Sequence, residues 1–574
     1  MIDSTLTAEI IAATPAVAAN PAGSLTAIPA TPAYCQVNFL YTTGLVGPAA
    51  GYDQAQTQLI KIRLYLPLSL ADGGNGAMQG NWIGKQMVGA SAGSSGSSTS
   101  WASYSEGTTM NGPTYAIRLG YIAASTDTGQ GNLPFGVIQT GALARTLSLG
   151  TIADWTHRGT HYGKQMAGAV ANTYYGSAPS KVYYNGCSGG GNEGMGQLQN
   201  YGDEYDGALI AAPANHWQQF RLADSWPQIV FKKLVQKGDL LPTTAQMSSV
   251  NSAAIAACDT TTGSDTVADG IIADPRACTF SAKANVCGEA GAPAAPACIT
   301  ANQAAAFDRI WDGPRNKYGH RIWFPFDRGT TLPLATTVSA STTQVMQWNH
   351  KDTSFDGNNL FVDAESLALA GSPPAGITYI TYEDEARLGS NTTADYTDNQ
   401  NPALDKFKAR NGKIIQIHGT QDTAIRFRHD IDYYRRVGTY FGSGKVDFAS
   451  MQAWYRLFLM PGVGHCSGGA GSSAVDPFLA MVKWAEQGVA PDVLLSQGGV
   501  GAPVSRTRPL CPYPQTASYK GSGSTDDAAN FVCTGNLETP KVLCDSLRTK
   551  YKFENADAID KTSLGIDASL CTGI

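Results

Sequence analysis

Apolar residues alternate with polar and charged ones along LIKIRLYLP at 59–67, a period of two that predicts a strand with one buried face. NWIGKQMVGA (81–90) and AIRLGYIAAS (116–125) are further strand candidates, whereas ADWTHRGTHYGKQMAGAVANTYYG (153–176) carries its apolar residues at helical spacing. KVYYNG is a short β-rich run that stops at a glycine. A glycine-rich turn and the helix candidate NEGMGQLQNYG follow, and DGALIAA (206–212) reads as one more buried strand. Strands and helices taking turns in this way predict an α/β fold with a largely parallel sheet.

Between 226 and 405 the chain becomes rich in Ala, Thr, Ser and Gly, with helix candidates and few strand runs, as expected of an inserted domain. The α/β pattern resumes at GKIIQIHG (412–419), the helix candidate HDIDYYRRVGTYFG, YRLFLMPG (455–462) and the helix candidate DPFLAMVKWAEQG (476–488). The expected division is a first core part at 1–225, with 1–34 as an extended N-terminal segment, an insert at 226–405 and a second core part at 406–574. The tail beyond 500 reads as an extended strap pinned by cysteines; the Ser- and Gly-rich run at 91–100 is a loop.

Composition narrows the function classes. Of 574 residues 43% are apolar and 15% charged, and 40 Lys and Arg against 46 Asp and Glu leave a net charge of -6, so a basic nucleic-acid surface is not expected. The uncharged stretch 10–52 is broken by Pro15, Pro21, Pro29 and Pro32, so no membrane span is predicted there. MIDSTLTAEI lacks the basic start and apolar run of a signal peptide, although a sequence can begin where such a segment was removed. Among 11 cysteines, Cys258 with Cys278, Cys287 with Cys298 and Cys511 with Cys533 form short-range pairs without the CxxC spacing of zinc ribbons. Disulfides are the expected reading, which places the protein in an oxidising space, secreted or periplasmic. An odd count leaves one thiol over; Cys35 is the candidate, with Cys544 and Cys571 as a fifth bridge.

In KVYYNGCSGGGNEG the frame Gly186-Cys187-Ser188-Gly189-Gly190 fits G-x-S-x-G and lies between a strand and a helix, where a nucleophile elbow belongs. A serine nucleophile needs a base to take its proton and a carboxylate to hold the base. Asp422 follows the strand KIIQIHG and His465 follows YRLFLMPG, both just past a strand's carboxyl end, where catalytic groups gather in open α/β sheets. With only eight histidines in the chain, one at that place is informative; His418, inside the strand before Asp422, is the lesser candidate for the base. Cys187 precedes Ser188 and Cys466 follows His465, so a bridge between them would hold the two candidates within about 15 Å.

GCSGG, HGTQD and MPGVGHCSGG resemble the Cys-Ser, Asp, His-Cys motif of the tannase and feruloyl esterase family, which also includes mono(2-hydroxyethyl) terephthalate hydrolases; the resemblance runs from about 35 to 545. It implies an α/β-hydrolase core with a large inserted lid, nucleophile Ser188, base His465, orienting acid Asp422 and a disulfide from Cys187 to Cys466. It also implies an oxyanion hole from the backbone N–H of Gly189 and one from the turn VGASAGSSG, with Ala92 as the expected donor and Gly93 as the other choice. Within the insert, the acidic loop CDTTTGSDTVADGIIADPRAC is not an EF-hand, since Val267 and Arg276 fill ligand places, and its residues alone also fit a solvated turn. The resemblance implies a structural Ca2+ held by Asp259, Asp265 and Asp269 with the carbonyls of Val267 and Ile271. Trp348, Phe355, Phe361 and Tyr382 are candidate pocket walls in the lid, and Asn391 opens a glycosylation sequon.

The expected function is a serine carboxylesterase outside the cytosol, cleaving a small aromatic ester (feruloyl, galloyl, terephthaloyl, phthaloyl or hydroxybenzoyl), with neither nucleic acid nor membrane as partner. Two rivals stand beside it: a thiol hydrolase using Cys187, and a non-catalytic calcium-dependent binding module.

Overall fold

The computed structural model describes residues 7–15, 30–42, 59–76, 80–90, 102–105, 108–128, 153–259, 267–316, 321–350, 355–392, 398–499, 501–503 and 505–547. Nine strands form one sheet: β1 (Thr7–Ile11), β2 (Tyr34–Thr42), β3 (Leu59–Pro67), β4 (Lys85–Val88), β5 (Ile122–Thr126), β6 (Lys181–Cys187), β7 (Gly207–Ala211), β8 (Lys413–Gly419) and β9 (Tyr455–Met460). Their order is β1-β2-β3-β5-β4-β6-β7-β8-β9. From β5 to β9 every pair is parallel, and β1, β2, β3 and β5 pair antiparallel.

The alternation in β3 places Ile60, Ile62, Leu64 and Leu66 in one buried cluster with Ala167 and Ala171 of helix α2 (Gly159–Tyr175), whose small side chains let it lie close to the sheet. Each fully buried side chain of this size contributes on the order of 2 kcal/mol, so the pattern fixes which face looks inward. β8 is covered on both faces. Ile415 and Ile417 pack with Phe478 and Met481 of helix α5 (Pro477–Gln487), and Ile414 clusters with Tyr433 and Tyr434 of α4 (Phe427–Phe441). β7, GALIA, is buried at every position, as the centre of a parallel sheet requires.

Two strand expectations are corrected. Residues 116–125 are not one strand: Gly112–Arg118 is helix α1, and β5 begins only at Ile122. Pro113 sets the helix start, and Gly120, at φ 74°, ends it in the left-handed region, with the N–H of Tyr121 donating back to the carbonyl of Ala116 at 2.9 Å. In 81–90 only Lys85–Val88 is strand; Trp82 before it is buried and stacks on Tyr175 of α2. Part of the expected extended N-terminal segment joins the sheet, since β1 pairs along its length with β2.

Among the described residues between β7 and β8 the regular elements are helices, apart from one pair of two-residue strands, Leu360–Phe361 and Ile380–Thr381. Helices Thr244–Cys258 and Ala301–Asp312 begin with capping boxes, Thr243 with Gln246 and Thr300 with Gln303. This region has its own buried cluster, including Trp217, Trp226, Phe231, Phe307, Trp311 and Trp323. The tail is tied to it through buried Arg276, which binds Asp274 and donates to the Tyr513 hydroxyl and the Leu537 carbonyl. Hairpin Thr516–Tyr519 with Phe531–Thr534 is crosslinked by Cys511–Cys533 to the residue that follows the strand Thr507–Leu510. Cys258–Cys278, Cys287–Cys298 and Cys187–Cys466 are also bridged, Cys544 is disulfide-bonded, Cys35 is free, and Cys571 lies outside the described residues. Among the described residues no helix is long and apolar enough to cross a membrane.

Candidate active site

Ser188 sits between the end of β6 and the start of α3 (Gly189–Tyr201), at φ 65° and ψ -123°, a backbone conformation that side chains rarely adopt. The turn is tight enough to exclude side chains around it. A Cβ on Gly186 would lie 2.6 Å from the Gly190 carbonyl oxygen, and one on Gly191 would lie 2.7 Å from the Ala211 carbonyl oxygen. The strain is held in place by hydrogen bonds from the Ser188 N–H to Ala211 and from the Asn192 and Ala214 N–H groups to the Ser188 carbonyl, each 3.0 Å. Gly189 opens α3, where the first amides have no intrahelical acceptor and point outward as donors.

Asp422 and His465 arrive from the next two strands but one. The loop after β8 is sewn to the loop after β9: the Thr420 N–H donates to Met460, the Gln421 N–H to Val463, and the Gly462 N–H to the Thr420 hydroxyl. His465 Nε2 lies 2.8 Å from Ser188 Oγ, and its Nδ1 lies 2.7 Å from Asp422 Oδ2. The other carboxylate oxygen accepts the N–H groups of Ala424 and Ile425 at 2.7 and 2.8 Å. Burial opposes the charge on Asp422, but His465 and His418 beside it hold its carboxyl well below the usual range. A base held by a buried carboxylate and touching a hydroxyl is an arrangement that can move a proton off that hydroxyl. His418 does not reach Ser188; it is wholly buried on the far side of Asp422, with Nε2 3.1 Å from Asp422 Oδ2.

Cys187 is bridged to Cys466, so its sulfur is not available as a thiolate nucleophile in this state. The turn bearing Ala92 lies outside the described residues. In the acidic loop, Asp259 accepts the Gly270 N–H at 2.9 Å and the Asp269 N–H at 3.4 Å, and Asp269 pairs with Arg508 at 2.9 Å. Val267 and Ile271 are buried there, and Asp265 lies outside the described residues. Three of the candidate lid aromatics pack within the insert: Tyr382 meets Trp226 edge-on, Phe355 stacks on His350 with centroids 3.6 Å apart, and Phe361 lies under the Lys232 ammonium. The side chains of Trp348 and Asn391 lie outside those described.

Sequence reasoning gave no role to Glu193 or Asp224. Glu193 is buried on α3, where burial raises its carboxyl well above the usual range although the Thr160 hydroxyl donates to it at 2.8 Å. Asp224 is pushed up to about 6 by burial, against the opposing pull of Arg426 and Arg221. Neither position follows a strand end or fits a motif, so only the packed structure reveals them.

A mostly parallel sheet with a strained serine after β6, a carboxylate after β8 and a histidine after β9 defines an α/β hydrolase. Within that class the chain belongs to the tannase and feruloyl esterase family, whose model matches residues 78–534. It is a carboxylic ester hydrolase of the feruloyl esterase and tannase type. A probable feruloyl esterase of Arthroderma benhamiae is 29% identical over 440 residues, covering 72% of this chain and 75% of that one. A mono(2-hydroxyethyl) terephthalate hydrolase of Piscinibacter sakaiensis is 28% identical over 552 residues, 88% and 85% of the two chains. The solved tannin acyl hydrolase of Aspergillus niger shares the fold, with a TM-score of 0.72 at 21% identity over 96% of this chain and 93% of that one.

Proposed function

We propose that the protein hydrolyses esters of aromatic carboxylic acids through a covalent acyl-serine. The observation that carries this reading is the continuous contact from Ser188 Oγ to His465 Nε2 and from His465 Nδ1 to Asp422. Ser188 Oγ attacks the ester carbonyl while His465 takes its proton, and Asp422 steadies the imidazolium that forms. The N–H of Gly189, with Ala92 as the second donor, stabilises the oxyanion. His465 then protonates the departing alcohol, and a water deprotonated by the same histidine releases the acid. The aromatic acyl group is supported by the relatives, which are named for feruloyl and terephthalate esters and for tannase. A place outside the cytosol is supported by the four bridges.

The acidic loop is proposed to hold a structural Ca2+ through Asp259, Asp265 and Asp269 with the Val267 and Ile271 carbonyls. The support among the described residues is the nearness of two carboxylates: burial and the nearby Asp259 raise the carboxyl of Asp269, against the opposing pull of Arg508 and Arg506. A bound ion would pin the loop; none of the catalytic steps uses it.

Ser188→Ala is expected to lower kcat on p-nitrophenyl acetate and on a feruloyl or terephthaloyl ester by several powers of ten, with the fold intact by circular dichroism. A variant that keeps a tenth of the activity overturns the assignment of the nucleophile.

A further inference from the structure

A buried chain of alternating acids and bases continues beyond Asp422. His418 Nε2 lies 3.1 Å from Asp422 Oδ2, the oxygen that His465 also contacts, and 3.1 Å from the Ile425 carbonyl oxygen. On the other side of the ring, Nδ1 lies 2.5 Å from Oδ2 of Asp430 on α4. Asp430 in turn lies 2.9 Å from His429 Nε2. Each of these partners of the two His418 nitrogens is an acceptor. A neutral imidazole carries one N–H, so its bare nitrogen would face an oxygen lone pair in a site with no solvent exposure, an arrangement that costs free energy. Two N–H groups satisfy the geometry.

Taking Ser188, His465 and Asp422 as the catalytic groups, we infer that His418 is a positioning residue that remains an imidazolium, clamped between Asp422 and Asp430. It fixes the carboxylate that holds His465 and offsets part of its charge. Burial alone would strip the proton, but the carboxylates of Asp430 and Asp422 outweigh it and hold His418 up to about 10. Apart from His465, no other cation contacts Asp422 Oδ2 among the described residues. Helix α4 presents Asp430 and His429, and the loop after β8 presents Asp422 and Arg426. Arg426 is engaged with Asp224 of the helix Trp217–Asp224, and the loop after β9 presents His465. The adjacent strand β9 brings Leu459 opposite His418, and α5 packs against Ile415 and Ile417 on the opposite face.

The sign of the effect on catalysis follows from the charges. Removing the positive charge at 418 leaves Asp422 fully negative toward His465, which then holds a proton more readily and is lost as a base at higher pH. His418→Gln keeps an amide donor toward Asp422 without the charge. The acid limb of its kcat/KM profile on p-nitrophenyl acetate is expected to move up by about one pH unit relative to the parent. In the parent enzyme, labelled with 15N-histidine, both ring nitrogens of His418 are expected to show the protonated signature at pH 8. The resonances are assigned by their loss in His418→Gln. An unmoved acid limb, even with reduced turnover, would reduce His418 to a packing residue and overturn the inference. A bare nitrogen at 418 in the parent spectrum would do the same whatever the turnover of the variant. If Ser188→Ala retains turnover while His418 shows both protons, it is the nucleophile assignment that fails and not the protonation of His418.

Discussion

The disulfide from Cys187 to Cys466 joins the residue before Ser188 to the residue after His465, with Cα atoms 6.2 Å apart across a sequence separation of 279. It crosslinks the turn after β6 to the turn after β9, and Cys466 itself sits at φ 61°. The chain-entropy model gives about 5 kcal/mol for closing so long a loop, with realised values usually lower. Replacing both cysteines with serine is therefore expected to lower kcat/KM more than the same change at Cys511 and Cys533, because two catalytic turns loosen at once. Equal losses from the two double variants would show that the bridge acts on stability alone; paired kinetics and melting curves decide it.

Glu193 offers a prediction with a definite pH sign. Its carboxyl is held protonated by burial, so its folded pKa exceeds the unfolded value of about 4.3. The stability it contributes is fully present below that value and declines as pH rises toward the folded pKa, by up to about 1.4 kcal/mol per pH unit. Glu193→Gln, which keeps an acceptor for Thr160, is thus expected to melt close to the parent at pH 4 and several degrees above it at pH 8. A constant difference in melting temperature across that range would show that Glu193 is ionised in the folded protein.

For the proposed calcium site, an excess of chelator is expected to lower the melting temperature by a few degrees while leaving kcat at moderate temperature nearly unchanged. An ion that binds only the folded state stabilises by mass action, about 2.7 kcal/mol at one hundred times its Kd. The loop is separately tied by Cys258–Cys278, which limits how far metal loss can spread. Identical melting curves with and without chelator, and no calcium by elemental analysis, would remove the ion from the proposal.

Substrate choice is expected to travel with the segment between β7 and β8. Deleting part of it is not a clean test, since Val345, Met346, Leu360 and Tyr382 belong to the buried cluster that holds it together. Exchanging residues 213–411 for the matching segment of a relative with a different acyl preference keeps most of such a cluster together, since of its buried members only Trp155 and Ile425 lie outside that range. The ratio of kcat/KM for a benzoyl-type ester over an acetyl ester is expected to move toward the donor's value; an unmoved ratio places specificity in the core.

Much of the core was legible because its strands obey simple patterns. β3 alternates along most of its length, β7 is apolar throughout, and β8 and β9 run directly into the turns that carry Asp422 and His465. Ser188, Asp422 and His465 could be singled out because each stands just past such a strand, and the structure brings the three together. Helix α1 was missed because Gly112, Pro113, Tyr115, Ala116 and Ile117 are all buried, leaving it no clear polar face; the Pro113 start and Gly120 stop were the available signal. The contact of His418 with Asp430 was not legible. It joins an inward residue of a strand to a helix residue that only the crossover brings back over the sheet, and no spacing rule encodes that meeting.

The place of β7 in the sheet has a consequence for how the chain is made. β7 and β8 are hydrogen-bonded neighbours, Gly207 opposite Lys413, yet everything between them must be synthesised before the pair can form. Until then the nascent sheet ends on GALIA, an apolar parallel edge with open N–H and C=O groups. Such an edge invites association with other chains, and pairing partners so distant in sequence meet slowly. Production of this protein is therefore expected to depend on a chaperone that occupies the half-built sheet, and slow translation through the intervening segment would lengthen the time at risk.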